Sequence, residues 1–260
     1  MTSFLDKLFG LEGRVAAITG GGGYLCGEMA RGLAMAGCKI AVMDLRRHKA
    51  EAVATDIRDS IGVGAIGLEV DASDKNSFAL GLDQTLAEFG RADILINGAG
   101  INAPTPFLDI TVDELHNIMK SQITSTLLGC QVFGHHMLEK GKGAIINISS
   151  ASAGPPLSKA FSYSIAKAGI FNLTQNLGRE WGTKGVRVNC IRPGFFPTEW
   201  NRKNFITKDR EAAILSHTPM ARYGEVDELV GGVIYLASDA ASFVTGSELR
   251  VDGGFSCMTI

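Results

Sequence analysis

Short apolar runs rich in β-branched residues alternate with longer segments of helical periodicity along almost the whole chain. The seven predicted strands are Val15–Thr19, Lys39–Asp44, Ala65–Val70, Asp93–Asn97, Ala144–Ser149, Val186–Ile191 and Glu248–Val251. The predicted helices are Leu25–Ala36, Arg47–Ser60, Ser73–Phe89, Val112–Glu139, Phe161–Gly182, Lys208–Ser216 and Val226–Ala237. Such uniformly hydrophobic strands are typical of a parallel sheet that lies between two layers of helices. The sequence therefore predicts an α/β fold: a single doubly wound Rossmann-type domain over residues 1–260, with a parallel seven-stranded sheet and helices on both faces.

The balance of charged residues limits the classes of partner. The formal net charge is −2, and no basic stretch stands out that would bind nucleic acid or an anionic membrane. No apolar run approaches the ~18–20 residues that a membrane-spanning helix needs. The first residues, Met1–Gly13, contain Asp6 and Glu12 and do not resemble a secretory signal. We expect no nucleic-acid partner and no membrane partner.

Cysteine and histidine usage indicates a reducing compartment and no metal. The five cysteines are scattered, odd in number and without a C-x-x-C pair, which is typical of reduced thiols in a cytoplasmic protein. The adjacent His135 and His136 lack a partner at metal-binding spacing. The sequence predicts a cytoplasmic protein with no metal site.

A glycine-rich loop joins the first predicted strand to the first predicted helix. It reads Thr-Gly-Gly-Gly-Gly-Tyr-Leu-Cys-Gly over residues 19–27. In doubly wound sheets the ligand lies at the carboxyl ends of the strands, and glycines let the backbone approach a pyrophosphate at the helix N-terminus. The predicted cofactor-binding residues of this loop are Gly20, Gly22, Gly23, Tyr24 and Leu25. A flexible turn is the alternative, which the strand-to-helix position disfavours.

Acidic residues follow the second and third strands. Asp44 lies about 20 residues beyond the loop, where a carboxylate can accept hydrogen bonds from the adenosine ribose and would repel a 2′-phosphate. NAD is therefore favoured over NADP, although Arg46 and Arg47 lie close by. Asp71 is placed to meet the adenine, and a helix-cap or turn role is nearly as well supported.

The carboxyl ends of the fourth to sixth strands carry the remaining candidate residues. Asn97, Gly98 and Ala99 form a small-residue stretch against which a cofactor can lie. Ser150 ends the fifth strand, and Tyr163 and Lys167 share one face of the next helix because they are four residues apart. After the sixth strand come residues of a Pro-Gly-x-x-x-Thr segment, namely Pro193, Gly194, Phe196 and Thr198.

Together these motifs resemble the short-chain dehydrogenase/reductase family over nearly the whole chain. The resemblance rests on the glycine loop, Asn-x-Ala-Gly, Ser with Tyr-x-x-x-Lys, Pro-Gly-x-x-x-Thr and the final Val-Asp-Gly-Gly. It implies a hydride transfer between a nicotinamide cofactor and a carbonyl or hydroxyl group. Tyr163 would act as general acid and base, and Lys167, together with the oxidised nicotinamide, would lower its pKa and also hold the nicotinamide ribose. Ser150 would bind the substrate oxygen, and residues 193, 194, 196 and 198 would contact the cofactor, with Thr198 on its carboxamide.

Three departures from the family pattern stand out. Tyr24 and Cys26 occupy two places of the usual loop glycines, and Gly98 replaces a second Asn. The catalytic Asn of the family, which holds a relay water and a helix kink, falls on Gln122 here. Gln has the same donors and acceptors but reaches one methylene further, so we expect Gln122 to take part in the site.

Within the family, the chain is similar to D-mannonate oxidoreductases (fructuronate reductases) and other sugar-acid dehydrogenases. The expected substrate is a sugar acid or polyol, with D-mannonate or D-fructuronate as the first candidate. Loop residues above the nicotinamide site are the candidate substrate contacts: Asn102, Ser150, Ser152, Trp200 and Arg202. Three alternatives remain: an NAD(H) sensor without turnover, a structural family member, and a dehydrogenase for another small carbonyl compound.

The resemblance also implies a homotetramer. Family members pair the two long helices near the active site, here Val112–Glu139 and Phe161–Gly182. The apolar tail from Phe255 to Ile260 is unusual for a free terminus. We expect a partner subunit to cover it; the alternative is that it folds back onto its own chain.

Overall fold

The computed structural model describes residues 3–198, 203 and 206–259. Seven strands form one sheet in the order β3-β2-β1-β4-β5-β6-β7, and every neighbouring pair is parallel. The strands are β1 (Val15–Thr19), β2 (Lys39–Asp44), β3 (Ala65–Glu69), β4 (Ile94–Asn97), β5 (Gly143–Ile148), β6 (Val186–Pro193) and β7 (Glu248–Val251). The predicted parallel seven-stranded sheet is confirmed, and its strand bounds agree with the sequence analysis to within two residues.

Helices connect the strands and cover the sheet. They are α1 (Phe4–Phe9), α2 (Tyr24–Met35), α3 (Arg47–Ile61), α4 (Lys75–Phe89), α5 (Val112–Met119), α6 (Ser125–Lys140), α7 (Phe161–Trp181), α8 (Lys208–Ser216) and α9 (Val230–Ala237). The sequence analysis missed α1, whose first turn is closed by a capping box between Ser3 and Asp6 and which buries no residue. A helix without a buried face leaves no apolar periodicity to detect.

Two apolar cores lie on opposite faces of the sheet. Helices α2, α3 and α9 cover one face, where Leu33 and Val233 are fully buried. Helices α4, α6 and α7 cover the other face, where Phe78 and Phe133 are fully buried and pack edge to face. Because each strand is covered twice, its side chains are apolar on both sides, which explains the continuous hydrophobic runs.

The long helix predicted over Val112–Glu139 is broken. A π-helical turn, Lys120–Thr124, separates α5 from α6. The hydroxyls of Ser125 and Thr126 donate to the backbone oxygen of Gln122, at 3.1 and 2.8 Å. The predicted helix thus contains an irregular turn at Gln122, the position where the family resemblance implies a helix kink.

The order of the strands reverses between β1 and β4, which places the ends of these two strands side by side. Thr19 and Asn97 are in register. The Thr19 hydroxyl accepts hydrogen bonds from the backbone N–H groups of Gly98 and Ala99, at 3.1 and 3.3 Å. The glycine loop after β1 therefore meets the small-residue segment after β4 at the topological switch point, where doubly wound sheets bind their ligands.

Within the described part of the chain, none of the helices has both the length and the apolar character of a membrane span. The same residues contain no group of three or more His, Cys, Asp or Glu side chains that could hold a metal ion.

Candidate active site

The glycine loop after β1 adopts a conformation that requires glycine. Gly20 has a φ of +67°, and a Cβ there would lie 3.1 Å from the Cα atom of Ala99. The backbone oxygen of Gly20 accepts from the N–H of Gly23 at 2.9 Å, which closes the turn. A side chain would strain the turn and crowd the β4 segment. The loop therefore forms an open depression lined by backbone atoms, which we call the cradle.

Helix α2 begins directly at this loop. Gly23 is its N-cap and makes no side-chain cap, so it leaves the first N–H groups of α2 without that partner. Tyr24 is half exposed, and Leu25 is partly buried. These N–H groups and the positive end of the helix dipole favour an anion here. The loop fits the pyrophosphate of a dinucleotide.

Asp44 faces the same loop from the end of β2. Its carboxyl is buried, and Oδ2 lies 2.9 Å from the point that a Cβ on Gly22 would occupy. Oδ1 accepts from the backbone N–H of Arg46 at 3.0 Å and from its Nε at 3.4 Å. Because one carboxylate oxygen stays directed at the loop, Asp44 is placed to receive ribose hydroxyls, and Arg46 is engaged with the same carboxylate.

Asp71, the candidate adenine contact, lies in a turn. Its Oδ1 accepts from both the backbone N–H and the hydroxyl of Ser73, each at 2.8 Å. These hydrogen bonds, led by the backbone one, hold the pKa of Asp71 below its usual value. Of the two interpretations left open by the sequence, this geometry favours the turn.

The side chain of Asn97 does not face the cradle. It is buried, and its Nδ2 donates to Oδ1 of Asn147 at 2.9 Å, while Nδ2 of Asn147 donates to the hydroxyl of Thr174 at 2.9 Å. This chain of hydrogen bonds ties β4 to β5 and α7. Only the backbone of Asn97 is left for the cofactor contact that the sequence predicts. Sequence analysis missed the network because its members are 27 and 50 residues apart.

Ser150, Tyr163 and Lys167 come together at the carboxyl ends of β5 and β6. Ser150 precedes the 3₁₀ turn Ala151–Ala153, and its hydroxyl accepts from the N–H of Ser152 at 3.2 Å. The Ser150 hydroxyl lies close enough to the Tyr163 phenol to lower its pKa. One helical turn further along α7, Nζ of Lys167 lies over the Tyr163 ring, 5.4 Å from its centroid. The spacing in the sequence thus becomes a compact cluster of three polar side chains.

The ammonium group of Lys167 is held in place by a backbone oxygen of β5. Its side chain is buried, and Nζ donates to the backbone oxygen of Ile148 at 2.6 Å. Burial lowers the pKa of Lys167 to about 8. The ammonium is therefore protonated at neutral pH and begins to lose its proton in mildly alkaline solution.

Within the protein itself, burial has the largest effect on the pKa of Tyr163. Burial raises the pKa of Tyr163, and the hydrogen bond with Ser150 opposes this rise. The expected lowering of this pKa by Lys167 together with the oxidised nicotinamide stays a prediction; Nζ of Lys167 lies 5.4 Å from the centroid of the Tyr163 ring. In this arrangement the phenol of the partly buried Tyr163 is protonated and can act as a donor.

Gln122 lies in the π-helical turn and is buried beside the loop after β4. Its Nε2 donates to the backbone oxygen of Ile101 at 2.8 Å. Its Oε1 has no hydrogen-bond partner among the residues that the structure describes. A Cβ on Gly100 would collide with the Gln122 amide, so the glycine leaves room for this longer side chain. A buried acceptor of this kind normally binds a donor.

Two of the departures from the family pattern compensate each other. Cys26 is buried, and its Sγ occupies the space that a Cβ on Gly98 would fill. The thiol on α2 therefore packs directly onto the backbone after β4. No pattern in the sequence connects positions 26 and 98, because only the tertiary fold makes them neighbours.

We predict that Gly98→Ala destabilises the protein by about 1–3 kcal/mol, since the new methyl group overlaps the Cys26 thiol. Adding Cys26→Ala removes Sγ and should restore part of that loss. Urea denaturation of the four variants of a double-mutant cycle measures the coupling. As a control, Cys38→Ala removes another buried thiol and should restore nothing to Gly98→Ala. If Cys26→Ala and Cys38→Ala restored the stability of Gly98→Ala to the same extent, the proposed contact between Cys26 and residue 98 would be contradicted.

The segment after β6 is held between β7 and the core. Gly194 donates to the backbone oxygen of Val251 at 2.9 Å, and a Cβ there would approach Asp252. Pro193 is buried, and Phe196 packs against Gly224 and lines a cavity of about 370 Å³ together with Met220. Thr198 is partly buried. The ring of Phe196 thus faces the core and this cavity, and the predicted cofactor contact is left to its backbone.

The candidate substrate residues fall into three groups. The Ser152 side chain is buried, and its hydroxyl has no hydrogen-bond partner in residues 3–198, 203 and 206–259. Asn102 is exposed on the loop after β4. Trp200 and Arg202 lie outside the described residues. Ser152 therefore lies beside Ser150, and its hydroxyl is available to hydrogen-bond a substrate.

The beginning of the apolar tail folds back onto its own chain. Phe255 is buried, and its ring contacts those of Phe195 and His217 with centroids 5.2 and 4.9 Å apart. The Asp252 carboxylate accepts from the N–H groups of Gly254 and Ser256, each at 3.0 Å. For Phe255, the expected burial by a partner subunit is wrong, because the same chain already covers the ring.

Comparisons with known proteins agree with this architecture. The family model described as enoyl-(acyl carrier protein) reductase matches residues 25–256. D-threitol dehydrogenase of Mycolicibacterium smegmatis is 35% identical, over 97% of this chain and 96% of that protein. A gluconate 5-dehydrogenase from Burkholderia cenocepacia, solved with NADP and tartrate, superposes with a TM-score of 0.93 at 34% identity, covering 99% and 100% of the two chains. A protein assigned as D-mannonate oxidoreductase from Haemophilus influenza, solved with bound NAD, gives a TM-score of 0.89 at 35% identity, covering 96% and 97%. The chain is a member of the short-chain dehydrogenase/reductase family of oxidoreductases.

Proposed function

We propose that this oxidoreductase transfers a hydride between NAD and the hydroxyl or keto group of a sugar acid or polyol, with D-mannonate and D-fructuronate as the first candidates. The observation that carries the proposal is the cluster of Ser150, Tyr163 and Lys167 beside a dinucleotide-shaped glycine loop. The similarity to proteins described as gluconate, threitol and mannonate dehydrogenases supports the substrate class. An assay of NAD(H)-dependent turnover with sugar acids and polyols tests the proposal.

The nicotinamide ring, when bound, supplies or accepts the hydride, and the protein handles the proton. Tyr163 donates its phenolic proton to the substrate oxygen during reduction and removes it during oxidation. Ser150 holds the same oxygen through its hydroxyl, which already contacts Tyr163. Lys167, fixed on the Ile148 oxygen, holds the nicotinamide ribose and favours the phenolate once the proton has left.

Gln122 takes the place of the proton-relay amide in this scheme. Its buried Oε1 is an acceptor without a partner in the described chain, and its Nε2 is fixed on the Ile101 oxygen. We propose that Oε1 accepts a hydrogen bond from a water molecule that links Lys167 to solvent. The π-helical turn supports this role because it widens the helix at the residue that must present its amide inward.

The preference for NAD rests on Asp44. We predict that Asp44→Ala weakens NAD and relieves the repulsion of NADP, so that the ratio of their kcat/KM values shifts by on the order of 10-fold or more. Steady-state kinetics with both cofactors measures this ratio. The matched control is Asp56→Ala, which removes an exposed carboxylate that is paired with Arg31. This substitution should leave the ratio unchanged. A wild-type preference for NADPH would mean that Arg46 and Arg47 dominate this pocket.

A sensor that binds NAD(H) without turnover is the second candidate. The observation that favours it is the raised pKa of Tyr163, which disfavours the phenolate that would have to accept the proton of an alcohol substrate.

We further propose that the whole chain forms one domain and that the protein is cytoplasmic. The two cores on a single sheet support the single domain. The five unpaired cysteines, four of them buried, support the cytoplasmic location.

A homotetramer is the proposed assembly. Exposed apolar side chains gather near the beginnings of α5 and α7, where Phe107 and Phe161 contact each other with ring centroids 5.1 Å apart. Leu108, Val112 and Ile165 are exposed apolar residues within five positions of this pair along the chain. Several exposed apolar side chains close together are typical of a subunit interface.

We predict a mass near four times the monomer value of 27.6 kDa in light scattering. Leu108→Asp, which places a charge on the most exposed of these side chains, should lower the mass. Leu80→Asp is the control, because it adds the same charge to an exposed leucine on α4. A wild-type mass near 27.6 kDa at micromolar concentration would end the claim of an oligomer.

A further inference from the structure

Arg192 and Glu248 form a buried ion pair near the active site. Nε of Arg192 lies 2.8 Å from Oε1 of Glu248, and each side chain is only 6% exposed. Arg192 is the penultimate residue of β6, and Glu248 begins β7. Removing two charges from water is expensive, and a buried pair is often no more stabilising than apolar residues of the same volume. Stability alone therefore gives a weak account of this pair.

The other end of the Arg192 guanidinium packs against the loop that carries Ser150. Nη1 lies 2.8 Å from the point that a Cβ on Gly154 would occupy, and Nη2 lies 3.7 Å from it. Gly154 ends the 3₁₀ turn Ala151–Ala153, which Ser150 begins. Only a glycine lets the guanidinium approach this backbone so closely.

The loop from Ser150 to Gly154 is closed by its own hydrogen bonds. The backbone oxygen of Ser150 accepts from the N–H of Ala153 at 2.9 Å, and its hydroxyl accepts from the N–H of Ser152 at 3.2 Å. These hydrogen bonds link the Ser150 hydroxyl to the backbone of the turn that Gly154 ends. A displacement of Gly154 is therefore expected to shift the Ser150 hydroxyl, which lies close enough to Tyr163 to influence its pKa.

Glu248 fixes the guanidinium from the opposite side. Its Oε1 forms the ion pair with Arg192 and accepts weakly from the thiol of Cys190 at 3.9 Å. Cys190 and Glu248 face each other in the register of β6 and β7. The half-exposed Arg250 approaches Oε2 only to 3.7 Å. Arg192 is thus held between a carboxylate on β7 and the backbone of the Ser150 loop.

We infer that Arg192, oriented by Glu248, is a positioning residue that holds the Ser150–Gly154 loop and so aligns the Ser150 hydroxyl with Tyr163 and the substrate oxygen. The inference rests on the proposed hydride-transfer function. It assigns to β6 and β7 a part in the chemistry although neither strand carries a proton-transfer group. Small misplacements of a substrate-orienting group are known to reduce turnover strongly.

Three variants separate this role from a structural one. Glu248→Gln keeps the shape of the side chain and removes its charge. Arg192→Lys keeps a charge for Glu248 but lacks the second nitrogen that reaches Gly154. The double variant Arg192→Met/Glu248→Leu removes both charges at similar volume, which protects the fold from an unpaired buried ion. Arg250→Ala is the matched control, because it removes the exposed neighbour of Glu248 and leaves the loop contact in place.

Hydrogen–deuterium exchange provides a readout that does not depend on turnover. We expect the amides of Ser150–Gly154 to exchange about 10-fold faster in the double variant and in Arg192→Lys, while the glycine loop and α2 keep their wild-type rates. Arg250→Ala should behave as wild type throughout. Unchanged exchange at the loop in both variants would overturn the inference, whether or not the protein proves to be an active dehydrogenase.

Kinetics then test whether the loop position matters for the reaction. We expect kcat to fall about 10- to 100-fold in Arg192→Lys and in the double variant, with the KM for NAD changed less than 2-fold. Glu248→Gln should show a smaller fall of the same kind. Faster loop exchange with unchanged kcat would equally overturn the inference. If the wild type itself turns over no sugar acid or polyol, the proposed function fails, and the exchange experiment still decides whether Arg192 holds the loop.

Discussion

Tyr163→Phe is expected to abolish detectable turnover while it leaves NAD affinity within a few-fold of wild type. The phenol carries the transferred proton, and general acid–base groups contribute about 10²–10⁴-fold to the rate. Within residues 3–198, 203 and 206–259, Ser150 is the one side chain whose hydrogen bonding affects the pKa of this phenol, so we expect the loss of the hydroxyl to disturb little else. Steady-state kinetics and a fluorescence titration with NADH measure the two quantities. Tyr235→Phe, which removes another phenol on α9, is the control and should keep full activity.

A Tyr163→Phe enzyme that retains more than about a tenth of the wild-type kcat would remove Tyr163 as the acid and base. Loss of both turnover and NADH binding would indicate instead that the substitution disturbs the packing of α7.

Lys167→Met is expected to lower turnover and cofactor affinity together. The ammonium is fixed on the Ile148 oxygen, where it can serve both the ribose and the developing phenolate. We expect kcat to fall by about 10²-fold or more and the Kd for NADH to rise. Cofactor affinity that stays at the wild-type value would show that Lys167 does not hold the ribose.

The same variant has an expected signature in stability. Burial lowers the pKa of Lys167 from 10.5 to about 8, so between these values the unfolded chain binds a proton that the folded chain has released. Stability contributed by this residue therefore rises with pH across that window, and its burial penalty is largest below pH 8. Lys167→Met should be more stable than wild type at pH 7, and the difference should shrink toward pH 10. Urea denaturation at several pH values checks this trend.

The parts of the fold that depend on local periodicity could be predicted from the sequence. The strands β1, β2 and β7 begin and end at the predicted residues because continuous apolar runs give way to turn residues there. Tyr163 and Lys167 could be paired because i, i+4 residues share a helix face in any fold. The glycine loop was predictable for a similar reason, since a positive φ at Gly20 demands a glycine.

Features that depend on tertiary neighbours could not be predicted. The Cys26 thiol meets Gly98, and Arg192 meets both Glu248 and Gly154, only after the strands have taken their places in the sheet. The side chain of Asn97 turns inward because Asn147 offers it an acceptor, which no local pattern indicates. The direction of the pKa shift at Tyr163 follows from burial by the surrounding fold, so the local Tyr-x-x-x-Lys spacing does not determine it.

The central claim is hydride transfer to a sugar-acid or polyol carbonyl, and one assay tests it most directly. The purified protein is incubated with NADH and a panel of keto-sugar acids, D-fructuronate among them, and of ketoses, while the absorbance of the reduced nicotinamide is followed. The account predicts that at least one of these carbonyl compounds consumes NADH with formation of one equivalent of the hydroxy product, and that Tyr163→Phe does not. Tight binding of NADH without its consumption by any member of the panel would contradict the account and favour a cofactor sensor.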